Sequence, residues 1–371
     1  MPASSLKDVL KTYCVEGELG EPMEEGRVRC FACGHRCVIL PGLDGICRVR
    51  YNDGGRLMVP AGYAAGVQCD PVEKKPFFHA YPGSLALTFG MLGCDLHCAY
   101  CQNWVTSQAL RDPKAVAPPM EVTPEQMTDI AMRRGASLIV SSYNEPLITS
   151  EWAVSVFKVA KAAGLVCGYV SNGNATPEVL DYIRPYVDLY KIDLKSFNDR
   201  SYRKLGGVLQ NILDTVKMVH ERGFWLEIVT LIIPGFNDSP DELKQAAEFI
   251  SGVSSDIPWH VTAFHQDYRM NENDNTSVET LVRAVDIGRE AGLKFVYAGN
   301  LPGRVSGLEN TYCPGCGDLL IERIGFRVLK NRIKAGVCPG CMTGIPGCWE
   351  SRAEVIGLSS NLSSRRVVVR G

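Results

Sequence analysis

The sequence predicts an α/β fold, an open or partial (β/α) barrel, and two observations carry that prediction. Apolar, β-branched runs of about five residues alternate with helical patterns, as repeated βα units of a mostly parallel sheet do. Polar residues gather just after those runs, where the loops of parallel architectures converge over one mouth. The runs are expected at Leu85 to Phe89, Leu138 to Ser141, Val166 to Val170, Leu189 to Asp193, Glu227 to Leu231, Val261 to Phe264 and Phe295 to Tyr297. Helices are expected at Thr123 to Arg134, opening on Thr-Pro, at Glu151 to Ala163 before Gly164, and at Pro240 to Ile250 with Asp241 and Glu242 in its first turn.

The cysteines divide the chain further. Of 15 in all, most fall into three islands: Cys30, Cys33, Cys37 and Cys47, then Cys94, Cys98 and Cys101, then Cys313, Cys316, Cys338 and Cys341. The reading is a cysteine-rich segment over 1–75, the barrel over 76–305, and a ribbon-like module with a polar tail over 306–371. With 371 residues, 46% hydrophobic and 22% charged, the composition suits one main core with satellites. A net charge of -2 offers no general attraction to nucleic acid or an anionic membrane. Neither a secretory leader nor a membrane-length apolar run is evident, so a soluble, cytoplasmic protein is expected, in which clustered cysteines bind metal and do not form disulfides.

The central island reads Gly93-Cys94-Asp-Leu-His-Cys98-Ala-Tyr100-Cys101, directly after the first expected strand. Three close thiolates suit an iron-sulfur cluster. Three protein ligands for four irons leave one iron open to a substrate amine and carboxylate. Structural zinc prefers four protein ligands, and no fourth lies nearby in sequence.

This spacing, with Tyr100 as the aromatic before the last cysteine, resembles the signature of the radical S-adenosylmethionine (SAM) superfamily. The resemblance implies a partial (β/α)6-type barrel and a 4Fe-4S cluster on Cys94, Cys98 and Cys101. It also implies reductive cleavage of SAM to a 5'-deoxyadenosyl radical that abstracts hydrogen. Residues 85 to 300 especially resemble the activating enzymes of glycyl-radical proteins such as pyruvate formate-lyase. In that likeness Tyr143-Asn144-Glu145-Pro146 resembles the turn receiving the methionine amino group. Ser171, Asn172, Asp193 and Lys195 resemble contacts to ribose and carboxylate, the loop from Ile232 to Asp238 resembles an adenine contact, and His265 is placed where it could face the ligand. A surface turn, a surface salt bridge, a plain Pro-Gly turn and a structural histidine are the respective alternatives.

In the C-terminal island, Cys313-Pro-Gly-Cys316 and Cys338-Pro-Gly-Cys341 form two knuckles around a segment long enough for a hairpin, the pattern of a structural zinc ribbon. Arg323, Arg327, Lys330, Arg332 and Lys334 are read as a solvated basic face of that hairpin. The N-terminal four also have metal-compatible spacing, with zinc the first choice, a second iron-sulfur cluster the alternative, and His35 in a supporting role. Cys167 is read as a packed core thiol, while Cys14, Cys69 and Cys348 carry no assignment. The whole arrangement resembles the AmmeMemoRadiSam-system radical SAM enzymes, with Cys348 where an apolar residue is expected.

The expected activity is hydrogen abstraction from a protein substrate in the manner of a glycyl-radical activase, with electrons from a flavodoxin or ferredoxin. Radical modification of RNA or a small molecule, and a metal-stabilised binding protein, are the competing readings. The sequence names neither the substrate nor the oligomeric state.

Overall fold

The structure, a computed structural model, describes residues 5–349 together with the short strand Arg365–Arg366. The remainder of the expected polar tail, Ser359 to Gly371, lies outside the described residues. A mixed sheet dominates, with β1 (Gly66–Pro71), β2 (Leu85–Gly90), β3 (Leu138–Ser141), β4 (Val166–Ser171), β5 (Leu189–Asp193), β6 (Trp225–Ile232), β7 (Trp259–Ala263) and β8 (Val296–Gly299) adjacent in chain order. Strands β2 to β8 run parallel, while β1 and Arg365–Arg366 pair antiparallel at one edge. This is the expected partial barrel, with each parallel strand within three residues of its expected bounds. The edge strand β1 is an addition.

Helices follow the strands because their start signals agree with their periodicity. In α1 (Pro124–Arg133), Thr123 and Gln126 cap reciprocally and Pro124 takes the first turn, where its missing N–H costs nothing. The segment Ser150–Ala162 forms α2 and Pro177–Ile183 forms α3, which Thr176 caps. Next come α4 (Leu209–Glu221), α5 (Pro240–Val253, capped by Ser239) and α6 (Val278–Glu290, capped by Ser277). Their apolar faces bury Phe157, Ile212, Leu243 and Leu281 against the sheet. Large buried side chains such as Tyr169, Tyr190 and Trp259 fill the interior.

Two flanking parts cover the barrel. Short strands and the turns between them, over residues 14 to 60, carry the N-terminal cysteines and pack into the main core through Val28, Cys30, Ile39 and Val59. At the other end, β9 (Leu319–Ile324) and β10 (Arg327–Asn331) form the expected hairpin. A small core of Phe78, Phe295, Tyr297, Leu320, Ile321 and Ile345 joins it to the barrel.

Arg323 corrects the reading of a wholly solvated basic hairpin. It is buried, donating to the Phe78 carbonyl at 2.7 Å and to Thr311 Oγ1 at 2.8 Å, with its guanidinium 4.4 Å from the Phe78 ring centre. Its strand alternates, so Arg323 points inward with Ile321 while Arg327 and Lys330 beyond the turn stay exposed. Cys167 is packed in the core as expected.

Candidate active site

The polar strand ends meet at a cavity of about 400 Å³. All three central cysteines line it, and the other expected residues found there are Tyr100, Asn144, Glu145, Asn172, Asp193 and Lys195. The loop after β2 can turn so tightly because Gly93 adopts φ +93, which other residues rarely take, and a Cβ there would lie 2.8 Å from Val49. Gly90 admits the close approach of the next strand's loop, since a Cβ would lie 2.4 Å from the Ser142 carbonyl.

Hydrogen bonds hold the cysteine loop from behind. Asp95, fully buried, accepts from Asn172 Nδ2 at 2.7 Å and Asn174 Nδ2 at 2.8 Å. The Leu96 N–H points at Cys94 Sγ at 3.4 Å, and Ser107 Oγ lies 3.2 Å from Cys101 Sγ. Asp95 and Ser107 carried no signal in the sequence beyond their position in or near the cysteine segment.

Glu145 is buried and accepts from Ser171 Oγ at 2.7 Å, the Asn172 N–H at 2.7 Å and the Leu147 N–H at 3.1 Å. Burial, then the nearby Asp95 charge, pushes its carboxyl up to about 8 despite those donors. The structure thus places Ser171 as a support of Glu145, outside the cavity lining. Across the cavity, Asp193 bonds Lys191 and lies 3.5 Å from Lys195. Burial alone would raise Asp193, but Lys191 and Lys195 hold it below the usual carboxylate range. This is a partly enclosed charge cluster, which excludes the surface salt bridge. Tyr100 is buried, lines the cavity, and finds no hydrogen-bond partner for its hydroxyl among the described residues.

His265 lies elsewhere. It is exposed, outside the lining, with its ring against Gln102 at 3.0 Å. At the end of β7 the alternation turns Phe264 inward against Cys98 and Tyr100, so its neighbour points outward.

Several lining residues were not singled out from the sequence: Glu73, Lys75, Lys191 and His260 from the core, and Phe326 from the turn between β9 and β10. Lys75 pairs with Asp70 at 3.2 Å, and burial lowers its ammonium to about 8. His260 bonds Glu227 at 2.7 Å, and Glu227 also accepts the N–H groups of Phe78 and His79, each at 2.9 Å. A glutamate inside an otherwise apolar strand is the signal that could have marked this hub.

The C-terminal four sulfurs all lie within 4.8 Å of one another, with Cys313 and Cys341 3.5 Å apart and Cys316 and Cys338 3.7 Å apart. Four thiolates so disposed could hold one metal ion. The N-terminal island is a second gathering: Cys30, Cys33 and Cys47 are buried and Cys37 partly so. His35 sets its Nε2 3.1 Å from the Asp95 carbonyl, joining that island to the central loop.

A parallel α/β barrel with three cysteines and a ring of polar strand ends at one mouth defines the class. The Radical SAM superfamily profile matches residues 89–250. An uncharacterized protein of Methanocaldococcus jannaschii is 34% identical over 325 residues, 86% of this chain and 96% of that protein. The pyruvate formate-lyase 1-activating enzyme of Escherichia coli is 24% identical over 236 residues, 58% of this chain and 93% of the enzyme. A solved radical SAM methyltransferase from Sphaerobacter thermophilus aligns over 64% of this chain and 71% of that one, at 18% identity and a TM-score of 0.46.

Residues 89–250 thus form a radical SAM domain, and the chain is homologous to the pyruvate formate-lyase activating enzymes. Among the described residues no helix is long and apolar enough to cross a membrane.

Proposed function

We propose that the protein is a radical SAM enzyme whose 4Fe-4S cluster is ligated by Cys94, Cys98 and Cys101, and that it abstracts hydrogen from a protein substrate. The observation that carries this reading is the convergence of those three cysteines with Glu145, Asn172, Asp193 and Lys195 on one cavity. The residues fit the cofactors: three thiolates, an acid for an amino group, a buried lysine for a carboxylate, and a phenol whose hydroxyl has no internal partner. When bound, the reduced cluster with SAM supplies a 5'-deoxyadenosyl radical.

The chain's own residues orient and shield. Asn144 fixes the loop by accepting the Met91 N–H at 3.0 Å, which sets Glu145 toward the cavity. Asp193 and Lys195 offer one partner of each sign to a zwitterionic ligand, and Tyr100, packed with Phe264, forms part of the wall. The E. coli relative is named as an activating enzyme for pyruvate formate-lyase, a protein, and this supports a protein substrate here. The working parts are then 1–75 as a metal-bearing flank, 76–305 as the catalytic barrel and 306–371 as the ribbon with its tail. A low-potential flavodoxin or ferredoxin in the cytoplasm would supply electrons. An anaerobic pull-down with mass spectrometry tests the substrate class: one specific protein is expected, and recovery of none counts against it.

Glu145 gives this reading a pH signature. Its folded value near 8 exceeds its ordinary 4.5, so its stabilising contribution is full below pH 4.5 and is lost as pH rises through about 8. The ligand-free protein is expected to lose stability across that window, and Glu145→Gln to flatten the loss. An arriving ammonium group favours the carboxylate, so SAM binding is expected to release about one proton at roughly pH 6.5. Calorimetry in buffers of different ionisation heat measures this, and absence of proton release would remove Glu145 from the amino-group role.

For the C-terminal four we propose structural zinc, because tetrahedral bonds of about 2.3 Å place thiolates roughly 3.8 Å apart, close to the 3.5 and 3.7 Å separations here. Cys316→Ser is expected to lose about one zinc per chain and the folding energy, on the order of 10 kcal/mol, that such an ion contributes. Metal analysis with thermal melting checks it; unchanged zinc would refute the assignment.

A further inference from the structure

The two cysteine quartets differ in spread. The C-terminal sulfurs close to within 4.8 Å of one another, the geometry of a single ion, whereas no three of the N-terminal sulfurs do. The N-terminal four are nonetheless neighbours: Cys33 and Cys47 share a cluster with Val49 and Ile148, the Cys30 N–H donates to the Cys37 carbonyl at 2.9 Å, and Cys37 Sγ faces Gly45 next to Arg50. Cys94, Cys98 and Cys101 are also wider than that limit. A cubane holds its thiolates farther apart than one zinc ion does, because each sulfur caps a different iron.

A second observation points to an anionic ligand among these cysteines. Arg50 is buried beside Cys30 and Cys47, and its Nε has no hydrogen-bond partner among the described residues, although its terminal nitrogens bond Glu151 at 2.7 and 2.8 Å. An unspent N–H on a buried cation is costly unless a ligand accepts it.

The quartet is built against the catalytic loop. Arg111 donates to the Cys94 carbonyl at 2.7 Å and to the Ile46 carbonyl at 2.6 Å, clasping both cysteine segments. Any side chain at Gly93 would lie 3.1 Å from the Cys47 carbonyl. The Gly34 N–H reaches the Asn174 carbonyl at 2.8 Å, two residues beyond Asn172 of the cavity wall.

We propose that Cys30, Cys33, Cys37 and Cys47 hold a second, fully cysteine-ligated 4Fe-4S cluster, docked on the Cys94 loop so that one electron can pass between the two centres. An electron from a low-potential donor protein reduces this cluster by one. Passing on, it oxidises the cluster again and reduces the centre at Cys94, Cys98 and Cys101, with no bond made and no proton moved. The transfer rests on the cluster reading of those three cysteines, while the metal assignment does not.

The test leaves the quartet intact. A Cys94→Ala, Cys98→Ala, Cys101→Ala variant, reconstituted anaerobically with iron and sulfide, is expected to keep about four irons and four sulfides per chain. Its reduced paramagnetic signal is expected to be unchanged by SAM. A variant that carries zinc at both quartets and no iron overturns the proposal. In the unaltered protein reduced with dithionite, the two clusters are expected to broaden each other's signals, and a spectrum that is a simple sum of two isolated clusters overturns their proximity. If 5'-deoxyadenosine fails to form while the quartet keeps its iron, the enzymatic reading falls and the metal assignment stands.

Discussion

Cys98→Ala is expected to lose the SAM-binding cluster and, with it, 5'-deoxyadenosine formation, by at least about three orders of magnitude, equivalent to some 4 kcal/mol in the barrier. Cys98 is buried between Leu96 and Tyr100 and lines the cavity. Among the described residues, no other cysteine lines that cavity except Cys94 and Cys101, so no neighbour can replace it. The barrel should survive, because Cys98 packs in a small cluster with Leu96, Tyr100 and Phe264, separate from the main core that holds Tyr169, Tyr190 and Trp259. Circular dichroism checks the fold, and SAM-induced change in the reduced cluster's spectrum checks the site. A variant that kept that spectral response would remove Cys98 from the ligand set.

Arg50→Ala carries the largest loss of stability expected outside the metal sites. Arg50 and Glu151 are exposed by only 1% and 6% and meet through two hydrogen bonds, and Glu151 also accepts the Leu19 N–H at 3.2 Å. Removing the cation strands a buried carboxylate, which costs about 3–5 kcal/mol. Replacing both by apolar residues of similar volume, Arg50→Met with Glu151→Leu, should recover much of that. Chemical denaturation of the two variants beside the unaltered protein measures it, and equal stability of Arg50→Ala and the unaltered protein would show that the pair is not coupled. The pair joins the N-terminal segment to α2, so its loss should also loosen the cysteine segment.

Local patterns made the barrel legible. Runs such as Leu138-Ile-Val-Ser141 and Leu189-Tyr-Lys-Ile-Asp193 became strands at their expected limits. Thr123 with Pro124, and Pro240 with Asp241 and Glu242 after it, marked helix starts because such signals are settled within a few residues. The cysteine spacing likewise marked the mouth of the barrel. Contacts between distant segments were not legible. Arg323 belongs to a basic run by composition, yet its guanidinium reaches Phe78, which is 245 residues away. His79 meets the Pro346 carbonyl at 2.7 Å across 267 residues, and the Glu227 hub depends on segments that only the fold brings together. His265 shows the limit of placing a residue by strand position alone: one step beyond Phe264, the side chain changes faces.

The different spreads of the two quartets were also beyond sequence reading. Both have spacing compatible with metal, and only the placement of the sulfurs separates one suited to a single ion from one suited to a larger ligand.

The central claim is that this cavity cleaves SAM reductively, and one measurement addresses it most directly. The protein is reconstituted anaerobically, its 4Fe-4S content is verified, and dithionite and SAM are added while 5'-deoxyadenosine is followed by chromatography. The account predicts its formation by the unaltered protein and none by Cys98→Ala. No product from protein verified to hold its cluster on Cys94, Cys98 and Cys101 would contradict it.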